Sequence, residues 1–228
     1  MRLKKSIDNL YTVFSIYHVE GNLRERSCDC CVTNEEIKQL LSKPFRELRK
    51  GDINHFMTSA ITTYGDVNDY KHFLPRILEL TLDYDVLSDF VIFEKLEYAN
   101  WKSWQENEVS AVEVFFESLF IFYLKNNSNS FELSDVINLS IKYLGEKRTF
   151  NIWKENLSES HLSFFVDYKL GISDLLLLDF KKTLFEKWIS SDFILNKLEA
   201  LFLKTKDKIE ANRISIAYTI LFNERDLK

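Results

Sequence analysis

Glycine and proline are scarce, with 5 Gly and 2 Pro among 228 residues. A β-sandwich or a doubly wound sheet needs many more tight turns than these can supply. Basic blocks are also missing, and the net charge is -5 with a pI near 5.5. A protein whose main partner is nucleic acid usually carries a basic face, so none is expected here. Long apolar runs are absent too. The most apolar window, residues 114–124, carries Glu117 and falls well short of the about 20 apolar residues of a membrane helix. No membrane partner is expected. No uninterrupted apolar stretch follows the basic start Met1-Arg2-Leu3-Lys4-Lys5, so a secretory leader is not expected either. The cysteines number 3, and all lie between positions 28 and 31. That is no disulfide framework, and it suits a reducing compartment, so a cytoplasmic location is expected.

What is present is an ordinary globular composition, 46% hydrophobic and 29% charged, with 19 Phe to fill a bulky core. Leu, Lys, Glu and Phe dominate and favour helices. Apolar residues recur at helical spacing almost throughout. Ile7, Leu10, Tyr11, Phe14 and Tyr17 predict a first helix over 4–19, ended by Gly21 and Asn22. Thr33-Asn34-Glu35-Glu36 reads as a capping box opening a second. Pro44 breaks that helix, and Asp52 is read as the N-cap of the next, with Gly65 past its end. Residues 66–73 read as a turn or short helix, with Pro75 in the first turn of a further helix. Later helices are predicted over 88–98, 106–124, 134–144, 150–156, 158–170, 174–190, 191–203 and 206–222. No convincing strand emerges.

These readings give an all-α fold: an array of about ten to twelve short helices in one domain over 1–228. The Asn126–Ser130 loop is the candidate subdivision. Ser88-Asp89-Phe90 and Ser191-Asp192-Phe193 open similar segments, which suits HEAT-like stacked helical hairpins. Ser-Asp is also simply a good helix start.

Two segments stand out chemically. Cys28-Asp29-Cys30-Cys31 crowds three thiols into a polar loop. Thiolates bind zinc or iron, usually as sets of four, so a remote ligand such as His72 would have to complete the set. Arg24 and Arg26 lie close enough in sequence to lower a thiol pKa for redox sensing, with Glu25 and Asp29 opposing them. Alternatively, the thiols are small apolar fillers. The second segment runs from Thr63 to Arg76. On a helix, Asp69 and His72 share a face and could act as an acid/base pair, while Lys71 and Arg76 could bind an anion beside Asp66. The bland alternative is a capped turn between helices. His161 reads as a solvated helix start, and Trp101 and Trp104 as packing over a helix junction.

The cysteine cluster, Pro44-Phe45-Arg46-Glu47-Leu48, Tyr64-Gly65-Asp66 and Lys71-His72-Phe73-Leu74-Pro75-Arg76 together resemble a family of uncharacterised bacterial proteins. Its members share such a cysteine cluster and a His-Phe-Leu-Pro-Arg segment. The resemblance covers about the first 80 residues and implies no activity, but it does imply that the two segments belong to one site. Phosphate-loop, dinucleotide, zinc-protease and serine-hydrolase motifs are absent. The reading that follows is a protein-interaction or adaptor module. The alternatives are a metal protein built on Cys28, Cys30, Cys31 and His72, with zinc as the candidate ion, and a small-molecule enzyme using Asp69 and His72.

Overall fold

The computed structural model describes residues 2–83, 87, 89–126 and 130–225. The chain is 75% helical, and the described residues form no strand. The helices are α1 (Arg2–Val13), α2 (Asn34–Leu40), α3 (Lys50–Ser59), α4 (Val67–Leu80), α5 (Phe90–Tyr98), α6 (Glu106–Lys125), α7 (Ser130–Leu144), α8 (Glu146–Glu155), α9 (Glu159–Lys169), α10 (Asp179–Ile189), α11 (Asp192–Lys204) and α12 (Lys208–Arg225). The all-α array expected from the periodicity is therefore what forms. The expected start of α5 at Ser88 lies outside the described residues, as does most of the Asn126–Ser130 loop.

Two compact units divide the chain, 1–118 and 119–228, and their boundary falls within α6. In the first unit, α1 packs on α4 across two intervening helices. The apolar stripe Leu3, Ile7, Leu10 and Tyr11 and the stripe Phe73, Leu74, Ile77 and Leu78 are both buried. Helix α3 packs against α2 and α5. In the second unit, α7 packs on α8, α9 on both α11 and α12, and α11 on its neighbours α10 and α12.

Several helix boundaries differ from expectation for local reasons. Helix α1 stops at Val13 and tightens into a 3-10 turn over Phe14–Ile16 before Tyr17 turns extended. Asp52 is not an N-cap. It sits one turn inside α3, and its carboxylate accepts the Arg49 N–H at 2.8 Å and the Lys43 ammonium at 2.7 Å. Residues 66–80 form one continuous helix with its cap, and Pro75 lies in its interior. An interior proline removes the bond to the carbonyl four residues back, at a cost of about 3 kcal/mol. The buried stripe of α4 offsets this, since each large apolar side chain contributes about 1.5–3 kcal/mol. Trp101 is buried and Trp104 half-buried, and their ring N–H groups donate to Glu97 Oε1 and the Ala99 carbonyl. They pack at the α5–α6 junction as expected.

His161 is buried, contrary to the solvated position expected. Its Nδ1 accepts the Ser158 N–H at 3.1 Å, which closes a capping box, so Nε2 carries the proton and donates to the Leu124 carbonyl at 2.9 Å. Burial pushes its pKa down. Beside it, Trp153 is fully buried at the centre of the second unit, with ring centroids 5.0 Å from Trp188, 5.4 Å from Phe165, 5.7 Å from Phe185 and 5.8 Å from Phe120. Replacing Trp153 with Ala is expected to cost about 3–5 kcal/mol of unfolding free energy, read by urea denaturation followed by circular dichroism. A cost under about 1 kcal/mol would show that this ring cluster does not organise the unit.

Candidate metal centre

The cysteine loop begins with a 3-10 turn over Leu23–Arg26, capped by the Asn22 side chain. Ser27 then forms an isolated antiparallel bridge to Tyr64, and the Cys28 N–H donates to the Thr63 carbonyl at 2.8 Å. From there the backbone folds back on itself. The N–H groups of Cys31 and Val32 both donate to the Cys28 carbonyl, at 3.3 and 3.0 Å. Arg24 holds this turn from one side. Its guanidinium donates to the carbonyls of Ser27 (3.0 Å), Cys28 (2.8 Å) and Val32, and its Nε lies 3.3 Å from the Asp29 carboxylate. Leu23 and Val32 are buried at the two ends, so the loop is anchored despite its polar composition.

Arg26 ties the loop to α4. Its Nε and one terminal nitrogen each donate at 2.8 Å to the two oxygens of Asp69, a carboxylate only 1% exposed. Such a planar two-pronged pair is among the stronger polar contacts available to proteins. Asp69 also accepts the Asp66 N–H at 2.9 Å, while Asp66 caps α4 by accepting from Asn68 and Asp69 at 2.8 and 3.0 Å. Gly65 precedes this cap at φ +68°. A Cβ there would lie 2.9 Å from Asp69 Oδ2 and 3.2 Å from a Leu23 methyl, so both conformation and space demand glycine. In the same turn Ile61 holds φ +71°, a strained position for a β-branched residue, with its N–H donating to the Tyr64 carbonyl at 3.1 Å. The two segments singled out in the sequence therefore meet, through backbone and through Arg26.

At the tip of the loop the three thiols converge. Cys28 Sγ lies 3.0 Å from Cys30 Sγ, and Cys30 Sγ lies 3.5 Å from Cys31 Sγ. All three are free, Cys30 and Cys31 exposed and Cys28 partly so. Among the described residues they are the only set of three or more His, Cys, Asp or Glu side chains whose donor atoms lie within 4.8 Å of one another. These three cysteines could hold a metal ion. Hydrogen bonds from the Cys30 and Cys31 thiols draw the Cys28 thiol down to about 7, and the same sharing with Cys28 and Cys30 pushes Cys31 up to about 11.

His72 does not join them. Its Nδ1 donates to the Tyr17 carbonyl at 2.8 Å, its ring packs between Phe45 and Phe73, and burial holds its pKa down. Helical geometry is the reason. Asp69 lies on the face of α4 that meets the cysteine loop, and His72, three residues on, is drawn to the Tyr17 strand of chain instead. The two do not form an acid/base pair, because Asp69 is taken up by Arg26 and the helix cap. Lys71 and Arg76 are not free for an anion. Arg76 donates to the Leu48 carbonyl at 2.7 Å and to Glu79 at 2.5 Å. Near the loop, a polar cleft of about 290 Å³ is walled by Tyr17, His18, Glu20, Arg26, Asp66 and Asn68, and His72 is not among its walls.

Lys71 instead belongs to a buried network that sequence reasoning missed. Its ammonium donates to Glu108 Oε2 at 2.8 Å and to the Tyr17 hydroxyl at 2.9 Å, and it lies 4.4 Å from the centre of the Trp104 ring. Glu108 is fully buried and also accepts from the Tyr17 hydroxyl and from the Gln105 N–H at 3.1 Å. The signal was there. Glu108 stands four residues before Val112, on the apolar stripe of α6, and a carboxylate on that stripe demands a cation. No protein-family model, curated protein or solved structure matches the chain, so the family resemblance finds neither support nor contradiction there.

Burial pushes the Glu108 carboxyl up, but Lys71, Tyr17 and the Gln105 amide outweigh it and hold the pKa below the ordinary 4.5. A depressed folded-state pKa adds stability above the ordinary value, and that stability is lost as pH falls through the lower one. Lys71→Met is expected to cost about 3–5 kcal/mol by stranding the carboxylate, and Lys71→Met with Glu108→Leu to recover most of it. The double variant should also lose less stability than the parent as pH falls below 4.5. Denaturant unfolding at two pH values reads both. Equal costs for the single and double variants would contradict the network.

Proposed function

We propose that this protein binds a thiophilic metal ion, zinc first among candidates, through Cys28, Cys30 and Cys31. The observation that carries the reading is the convergence of three accessible thiols on one loop tip whose backbone is fixed by Arg24. Soft thiolates select zinc, copper(I) and iron–sulfur groups over hard cations. Iron–sulfur clusters take four cysteines, one more than the chain contains. Structural zinc sites are closed by four protein ligands, whereas three ligands with an open position belong to sites that admit an outside group. A three-thiolate site on an exposed loop is of the second kind, and the fourth ligand comes from water or from whatever receives the ion. The low Cys28 pKa supports the reading, since one thiolate is available near neutral pH. The remaining protons leave as the ion binds, so affinity rises with pH.

The interaction-module reading rests on exposed apolar side chains of α11 and α12, among them Phe202, Leu203, Ile209 and Ile216. Nothing in the structure names their occupant, and the thiol loop is the more specific feature.

Cobalt(II) titration of chelator-treated protein tests the proposal through thiolate-to-cobalt absorption in the near ultraviolet. One equivalent is expected to bind, with zinc displacing it. The variant with all three cysteines changed to serine should not bind. Arg24→Ala should bind about 10–100-fold more weakly, because the loop carbonyls lose their clamp. His72→Ala should bind like the parent. Equal binding by the parent and the triple serine variant would overturn the reading.

A further inference from the structure

We propose that Cys28 and Cys30 are a peroxide-oxidised pair that closes to a disulfide, leaving Cys31 as the free thiol. The inference stands on the loop geometry and does not require the metal reading.

The two sulfurs already lie 3.0 Å apart, and a disulfide needs about 2.05 Å, so closing the pair takes a shift of about 1 Å. Cys30 and Cys31 are farther apart at 3.5 Å. They are also adjacent in sequence, so their disulfide would enclose a single peptide bond and force it from planarity, which is costly. The turn that brings Cys28 beneath Cys30 is set by backbone bonds from Cys31 and Val32 to the Cys28 carbonyl and by Arg24. Access to the oxidant decides which cysteines react with peroxide, and Cys30 is exposed and Cys28 partly so.

The chemistry balances with hydrogen peroxide as the oxidant. The Cys28 thiolate attacks one peroxide oxygen. An S–O bond forms, the O–O bond breaks, and the departing hydroxide takes a proton to become water. Cys28 is then a sulfenic acid. The Cys30 sulfur, giving up its proton to solvent, attacks the Cys28 sulfur. The S–S bond forms, the S–O bond breaks, and the second hydroxide takes a proton to leave as water. Two thiols and one peroxide give one disulfide and two waters, with two electrons passing from sulfur to peroxide. Where the thiols hold a metal, the same reaction removes two of its three donors and releases it.

Metal-free protein treated with one equivalent of hydrogen peroxide tests this. Thiol titration should fall from three per chain to one. Trypsin leaves all three cysteines in the peptide 27–38, so alkylation followed by fragmentation mass spectrometry should find the label on Cys31 alone. Cys31→Ser should still close the Cys28–Cys30 disulfide and lose both of its remaining thiols. Cys30→Ser should stop at the sulfenic acid and be captured by dimedone at Cys28. Three titratable thiols after treatment, or a label on Cys28 or Cys30, would overturn the pairing. Because no metal is present, failure here leaves the cobalt titration untouched, and the converse holds.

Discussion

The bidentate pairing of Arg26 with Asp69 is the contact on which the functional part of the molecule depends. Asp69 is 1% exposed, and an unpaired carboxylate at that depth would be strongly unfavourable. The pair therefore fixes both partners. It holds the N-terminus of α4 to the segment carrying the cysteines, and it explains why Gly65 carries no side chain, since any Cβ there would meet Asp69. The bridge from Ser27 to Tyr64 and the bond from Cys28 to Thr63 complete the attachment. A loop that reads as loosely polar is in this way held on a helix cap, with its thiol tip exposed.

That restraint is what gives the thiols their chemistry. Free cysteines on a mobile loop would titrate independently. Held within 3.0 and 3.5 Å of their neighbours, these share protons, so the Cys28 proton is lost readily and the Cys31 proton is retained. A cation of suitable softness can substitute for the retained protons, and an oxidant can remove electrons from the closest pair. Both proposals follow from one arrangement, and they compete for the same sulfurs. Occupancy by a metal and closure of the disulfide exclude each other.

The helices were legible in the sequence because their apolar stripes keep one period over long stretches, as in α6. The capping box at Thr33 and Glu36 was legible because its two residues lie three apart. Pro75 misled, because local preference places proline at a helix start while the buried stripe of α4 outweighs that preference. The thiol cluster was visible as spacing alone. Its fixed geometry was not, because Arg24 and Arg26 were read only as cations near the thiols, whereas they fix the loop through its own carbonyls and through Asp69. His72 misled in the opposite way. It lies three residues from Asp69, but sequence proximity on a helix does not decide which neighbouring element a ring meets. Glu108 was readable from its place on an apolar stripe, though its partners Lys71 and Tyr17 come from elsewhere in the chain.

The central claim is that three sulfurs of this one loop act together on a metal. X-ray absorption at the zinc edge, on protein carrying one equivalent of zinc, addresses it most directly. A first shell of three sulfurs at about 2.3 Å with one lighter atom is the predicted result. A shell of nitrogen and oxygen without sulfur would contradict it.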